Sequence, residues 1–257
     1  MRVFEVVAVA FLAALAVLLQ FSHNFIGLPM SVTGFMWVDL VGVPALLAFF
    51  LFGFEHALYV SVLTALAITF AAPDSWLGAS TKFAGTMSMI IVPATYALYR
   101  KNLDAGKLAA ILVVGTAYSL TAFVLSGAVN LASQAWVEIT DPLLLGVLPV
   151  LAIALYSVAL HALWSRQKRM LRADEFAKAK VLLEVLAVSL VVRGLVMTVV
   201  NYYYAGPLFF GQATQEIMRA LPWERIFFWN AVQGSIEVLA AWGIAFPAGF
   251  EKKYGSW

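Results

Sequence analysis

Five polar residues lie in or beside long apolar segments and have the chemistry of a ligand-binding site. They are Asp39, Lys82, Asn201, Asn230 and Gln233. Polar groups in apolar segments are costly unless they face a cavity or a partner. Carboxylate, ammonium and amide groups together can pair with the hydroxyl, carbonyl and N–H groups of a small molecule. The alternative is that each residue makes a separate hydrogen bond between helices, or reaches toward water from a helix end.

Asn201 begins the segment NYYYAGPLFF, which follows a mostly apolar run at 181–200. We expect this run to end at a break formed by Gly206 and Pro207. Tyr204 in this segment and Trp76 are predicted to contact a planar ligand, because aromatic rings stack on flat molecules. Tyrosine and tryptophan also populate membrane interfaces, which would explain both residues without a ligand.

Two further charged residues, Arg193 and Glu237, fall near the middle of their apolar segments. An unpaired charge at that depth is expensive, so the sequence predicts an ion pair between the two segments. We expect a structural role for this pair rather than proton transfer. Glu237 also shares a helical face with Asn230 and Gln233, at spacings of three and four residues.

The composition indicates an all-α, multi-pass membrane protein. Apolar residues make up 63% of the chain and charged residues 12%, against about one-half and one-quarter in soluble domains. The apolar residues fall in blocks long enough to cross a bilayer. We predict eight spans, at about 3–21, 36–53, 55–72, 82–99, 107–131, 143–165, 181–204 and 225–247.

Basic residues predict the orientation of these spans. Twelve lysines and arginines fall on the side of the N-terminus, whereas Lys82, Arg219 and Arg225 fall on the other. Because basic residues accumulate on the cytoplasmic side, both termini are expected to be cytoplasmic in a cell-membrane protein. The basic stretch 166–180 is then a cytoplasmic loop. The loops at 22–34 and 205–222 lie on the outer side, where either could cover a ligand.

Several function classes lack support in the sequence. Neither a phosphate-binding loop nor a hydrolase or metalloprotease motif occurs, so we do not expect an enzyme and assign no catalytic residue. His23, His56 and His161 are scattered and the chain has no cysteine, so no metal site or cofactor is expected. The net charge of +2 is too small to indicate a nucleic-acid partner.

Four stretches resemble one known family. They are AFLAALAVLL (10–19), FMWVDLVGVPALL (35–47), SWLGASTKF (75–83) and the pair NYYYAGPLFF (201–210) with WNAVQ (229–233). Together they resemble the riboflavin-specific substrate-binding component (S component) of energy-coupling factor (ECF) vitamin transporters.

The resemblance implies a compact six-helix membrane bundle that binds riboflavin near its outer face. It implies that the transported ligand contacts Asp39, Lys82, Asn201, Asn230 and Gln233. It also implies partners, namely two ATPases and a membrane coupling subunit. Ala10 and Ala14 match the small-residue spacing with which the family contacts that coupling subunit, although ordinary helix packing would explain the same spacing.

Two features depart from the family. The chain has two extra predicted spans, which suggests one domain over 1–257 with a core at 1–101 and 181–257 and an inserted hairpin at about 104–180. Lys82 stands where riboflavin-type members of that family often have asparagine, so it could donate to a ribityl hydroxyl or a carbonyl but would suit an acidic ligand equally well. An S component for another vitamin or aromatic metabolite, an integral-membrane enzyme and a structural subunit therefore stay open as alternatives.

Overall fold

The computed structural model describes residues 3–22, 30–31, 37–71, 75–99 and 173–255. The predicted spans at 107–131 and 143–165, the inserted hairpin up to residue 172, and most of the loop at 22–34 lie outside these residues. The helices before residue 100 are α1 (Val3–Gln20), α2 (Val43–Phe52), α3 (Phe54–Ala71) and α4 (Ser75–Tyr99). After a 3₁₀ turn at Ala173–Ala177, the helices are α5 (Ala179–Val200), α6 (Gly206–Phe210), α7 (Thr214–Ala220), α8 (Trp223–Ala245) and α9 (Phe250–Tyr254).

The predicted all-α class is confirmed for the described residues, with one small exception. Strands β1 (Met30–Ser31) and β2 (Trp37–Val38) form a short antiparallel ladder, in which Met30 lies opposite Val38. The turn at residues 39–42 follows this ladder directly and leads into α2.

Three helical stretches within the described residues are long and apolar enough to cross a membrane. They are Val3–Gln20, Phe54–Ala71 and Ala179–Phe210, close to three of the predicted spans. Helices α4 and α8 are comparably long, at 25 and 23 residues, but they contain more polar side chains. The predicted membrane class therefore receives support from three of the eight predicted spans.

The predicted span at 36–53 is wrong in extent. Helix α2 begins at Val43, where Pro44 lies in the first turn, a position that suits proline because the first helical N–H groups lack partners. Its ten residues extend about 15 Å, half the thickness of a bilayer core. Gly53 then adopts a φ of 90°, and α3 begins at the next residue. Asp39 consequently lies in the turn before α2 and not inside a helix.

Helix α2 occupies the centre of the bundle. All ten of its residues are buried, and it packs against α1, α3 and α8. Helix α4 packs between α3 and α5, and α5 packs against α8. The outer helices expose large apolar side chains, such as Phe11 on α1 and Leu195 on α5. Such outward apolar surface suits lipid better than water.

Ring contacts identify the two ends of the bundle. Near the N-terminus, the ring of Phe4 lies 6.1 Å from that of Phe52 and 5.8 Å from that of Tyr254. At the other end, the rings of Trp76 and Tyr204 lie 6.2 Å apart. The described N- and C-terminal helices therefore share one end of the bundle, which is the arrangement that the predicted topology requires.

The segment that begins at Asn201 does not break the helix as predicted. Residues Asn201–Ala205 form a π-helical turn, and the helix continues to Phe210. In this turn the N–H of Gly206 bonds to the carbonyl oxygen of Asn201. Gly211, with a φ of 62°, ends the helix instead. π-Helical turns are rare and frequently occur at functional sites.

The π-helical turn predicts that Gly206→Ala destabilises the protein. A Cβ atom at this position would lie 2.6 Å from the carbonyl oxygen of Asn201 and 2.8 Å from Cγ2 of Ile217. We expect a loss of about 1–3 kcal/mol in the free energy of unfolding, measured by unfolding in detergent. Gly243→Ala is the control, because its Cβ would meet no atom within 4 Å. Equal stability of the two variants would contradict this prediction.

Candidate functional site

A cavity of about 90 Å³ lies between the turn before α2 and helices α4, α5 and α8. The structure brings together at this cavity all five polar residues that the sequence predicts as ligand contacts. The polar residues around it are Asp39, Thr81, Lys82, Thr86, Arg193, Asn201, Asn230, Gln233 and Glu237. Met197, Ala205 and Phe209 supply an apolar side. The cavity therefore combines charged, amide and apolar surface.

The α4 side of the cavity follows a pattern that was not predicted. Gly78, Thr81, Lys82, Gly85 and Thr86 all line it. Their spacing of three or four residues places them on one face of a helix. This recurrence of small and hydroxyl residues beside Lys82 is visible in the sequence, and it would have identified Thr81 and Thr86.

The two predicted aromatic contacts, Trp76 and Tyr204, do not line the cavity. Both pack with a small apolar cluster that contains Leu77, Ala84 and Met197. The hydroxyl groups of Tyr204 and Ser80 lie 2.8 Å apart. In this structure the two rings therefore pack with Met197, which lines the cavity, and do not themselves form its surface.

Asp39 and Lys82 form an ion pair at the cavity. The Asp39 side chain is 1% exposed and that of Lys82 is 18% exposed. The backbone N–H of Val41 donates to Oδ1 of Asp39 at 2.9 Å, as in turns that begin with aspartate. The turn thus fixes the carboxylate, and the carboxylate in turn holds the Lys82 ammonium group.

The predicted pairing of Arg193 with Glu237 is present. Nη1 of Arg193 donates to Oε2 of Glu237 at 2.5 Å, with the side chains 4% and 1% exposed. The pair joins α5 to α8. Since neither group reaches water, each depends on the other for compensation of its charge.

Gln233 connects the two ion pairs, and this connection was not predicted. Its Nε2 donates to Oδ1 of Asp39 at 3.3 Å and to Oε1 of Glu237 at 3.1 Å. The result is one charge network, which comprises Lys82, Asp39, Gln233, Glu237 and Arg193. It contains two cations and two anions, so its formal charge is zero.

Glycines make room for the charge network. A Cβ atom at Gly42 would lie 2.7 Å from the carboxyl carbon of Glu237, and one at Gly234 would lie 3.2 Å from Cδ of Arg193. A Cβ atom at Gly85 would lie 3.5 Å from Nη2 of Arg193, which is an ordinary van der Waals distance. Close backbone approach at Gly42 is thus what allows α8 to bring a carboxylate beside α2.

Asn201 and Asn230 are both buried, Asn201 directly after α5 and Asn230 on α8. Nδ2 of Asn201 donates to the carbonyl oxygen of Met197 at 2.7 Å, and Nδ2 of Asn230 donates to that of Ile226 at 2.9 Å. These bonds to the preceding helical turn fix both amides. Each amide oxygen then retains acceptor capacity for a group in the cavity.

The structure describes only some of the residues behind two other predictions, which concern a metal site and the contact with a coupling subunit. Among the described residues, no group of three His, Cys, Asp or Glu side chains could hold a metal ion, and His23 and His161 lie outside them. Nε2 of His56 lies 3.5 Å from Oε2 of Glu5. Ala10 and Ala14 are both exposed on α1, so packing among the described helices does not account for their spacing.

No protein-family model, curated protein or solved structure matches this chain. Any functional proposal therefore depends on the residues of the cavity and on the sequence motifs.

The buried pair predicts strong coupling between Arg193 and Glu237. Arg193→Met or Glu237→Leu alone leaves an uncompensated buried charge and should cost about 3–5 kcal/mol of unfolding free energy. The double variant should lose much less than the sum of the two single losses. Unfolding of the purified variants in detergent measures these differences.

Lys180 and Glu184 provide the control for this cycle. Nζ of Lys180 and Oε1 of Glu184 lie 4.0 Å apart on the exposed surface of α5, where ion pairs contribute little to the free energy of unfolding. Their alanine variants should show nearly additive effects. Additive losses at Arg193 and Glu237 would show that the buried pair does not act as a unit.

Proposed function

We propose that this chain is the substrate-binding membrane subunit of an ECF-type vitamin importer, and that riboflavin is the ligand of the cavity. One observation carries the proposal: polar residues from the turn before α2 and from α4, α5 and α8 converge on one cavity. Polar residues in apolar helices are expensive and tend to face functional cavities. The choice of riboflavin depends on the sequence motifs.

The chemistry of the cavity is compatible with a flat molecule that carries hydroxyl and carbonyl groups. The amide oxygens of Asn201 and Asn230 can accept hydrogen bonds, whereas Lys82 and Gln233 can donate them. Met197 and Phe209 offer apolar contact for a ring. A ligand lacking these polar groups would leave buried protein groups unpaired, and this cost would discriminate against it.

The charges of the cavity favour an uncharged ligand over an acidic one. Lys82 is already paired with Asp39, and Arg193 with Glu237. A carboxylate or phosphate would add a negative charge to a network that is already balanced. The presence of Lys82 therefore does not by itself indicate an acidic substrate.

The cavity must widen to admit riboflavin. Its volume of about 90 Å³ is well below the roughly 300–1,000 Å³ of ordinary ligand pockets. Asp39 is the member of the charge network that lies outside the long helices, in the turn before α2. We expect the ligand to enter beside this turn and to replace contacts of Asp39.

Transport against a gradient would require a partner. The sequence has no phosphate-binding loop of its own, so an ATP-driven module would have to supply the energy. The exposed Ala10 and Ala14 on α1 are the proposed contact with the coupling subunit, since small residues let helices approach closely.

Flavin binding tests the proposal directly. The purified chain should carry or take up riboflavin, detected by flavin absorbance and by quenching of flavin fluorescence during titration. Asn201→Ala should weaken binding up to about tenfold, because one hydrogen bond to the ligand is lost. Gln215→Ala, which removes an exposed amide on α7, is the matched control.

The two measurements test the identity of the ligand and the role of Asn201 separately. Absence of flavin binding would reject riboflavin as the ligand. Flavin binding that Asn201→Ala leaves unchanged would remove Asn201 from the site while retaining the ligand.

A further inference from the structure

A second, smaller cavity also borders Lys82. Its volume is about 10 Å³. Ser61 and Thr64 of α3 and Lys82 and Thr86 of α4 form its polar lining, and Val41, Ala45, Ala65 and Phe83 form its apolar lining. Lys82 and Thr86 also line the larger cavity. Lys82 is therefore the charged residue that borders both spaces.

Thr64 contributes an unpaired hydroxyl group beside this second cavity. Its side chain is buried, and Oγ1 has no hydrogen-bond partner among the described residues. The other serine and threonine hydroxyl groups on α3 donate to the carbonyl oxygen four residues earlier, Ser61 to Ala57 and Thr69 to Ala65. A buried hydroxyl without a partner is costly, which suggests that Thr64 has a partner in another state of the molecule.

The second cavity can accept an ammonium group. A space of about 10–15 Å³ holds one water molecule, and an ammonium group has a similar size. The hydroxyl oxygen of Thr64 can accept a hydrogen bond, and that of Ser61 keeps acceptor capacity while it donates to Ala57. The flexible lysine stem allows the ammonium group to change partners without movement of the helix.

We propose that the Ser61–Thr64 cavity is a second binding site for the Lys82 ammonium group, occupied when Asp39 is taken by another partner. If a ligand donates hydrogen bonds to Asp39, Lys82 loses the carboxylate that holds it at the larger cavity. An ammonium group inside the bundle cannot remain without acceptors. The oxygens of Thr64 and Ser61 are the acceptors that the second cavity offers.

A double-mutant cycle tests this site without any ligand. Asp39→Asn removes the carboxylate that holds Lys82, so Lys82 should turn to Thr64 in that variant. Thr64→Val should then lower the melting temperature of the Asp39→Asn protein by about 2–4 °C more than that of the wild type. In the wild type, Thr64→Val should be neutral or stabilising, because it removes an unpaired hydroxyl.

Two further variants control the cycle. Thr64→Ser keeps a hydroxyl group and should restore most of the stability lost in the Asp39→Asn background. Thr69→Val removes a hydroxyl on the same helix that bonds to Ala65, and its effect should be additive with Asp39→Asn. Additivity of Thr64→Val with Asp39→Asn would overturn the proposed second site.

A ligand arm of the experiment rests on the proposed function. If riboflavin binds, Thr64→Val should weaken its affinity about tenfold, since hydrogen bonds to charged groups are strong. Thr64→Ser and Thr69→Val should bind nearly as the wild type does. Failure of riboflavin to bind would reject the proposed ligand. The double-mutant cycle of Asp39→Asn with Thr64→Val would still test whether Lys82 has a second binding site.

Discussion

The need to bury two cations and two anions within an apolar bundle constrains the rest of this structure. Arg193 and Glu237 are almost wholly enclosed, so each requires the other, and this requirement fixes α5 against α8. Gln233 extends the constraint to Asp39 and thereby to Lys82 on α4. Breaking a buried ion pair is expensive, so the charge network restricts how these four parts of the chain can be arranged. The cavity is the space that this arrangement leaves beside the network.

The backbone adapts to the charge network in two places. Helix α2 begins only at Val43, and the turn before it directs the Asp39 carboxylate toward Lys82 and Gln233. Gly42 in this turn has no side chain, so the Glu237 carboxylate can lie against its backbone. At the opposite side of the cavity, the π-helical turn at Asn201–Ala205 alters the helical register immediately after Asn201. A uniform α-helix would place the following residues, including Ala205 and Phe209 beside the cavity, at different angles around the helix axis.

Patterns within single segments predicted part of this structure. The length and apolarity of Val3–Gln20 and Phe54–Ala71 identified two helices, and the cost of lone charges predicted the pairing of Arg193 with Glu237. The depth of Asp39, Lys82, Asn201, Asn230 and Gln233 predicted their shared location. The link through Gln233 was not predicted, because it depends on the relative rotation of α8 and on the shape of the turn before α2. The break at Gly206 and Pro207 was mispredicted because a Gly-Pro pair normally ends a helix, whereas here a π-helical turn precedes the pair and the helical stretch continues to Phe210. Trp76 and Tyr204 were placed at the ligand by their type and depth alone, neither of which determines the side of a helix on which a ring lies.

We propose that a ligand occupies the cavity beside the charge network and draws Asp39 away from its present partners. An experimental structure of the purified chain with riboflavin in excess measures this most directly. We expect flavin density between Asn201 and Asn230, a cavity larger than the present one of about 90 Å³, and Asp39 separated from Lys82 or Gln233. Flavin bound elsewhere, or bound in the cavity with every contact of the charge network unchanged, would contradict it.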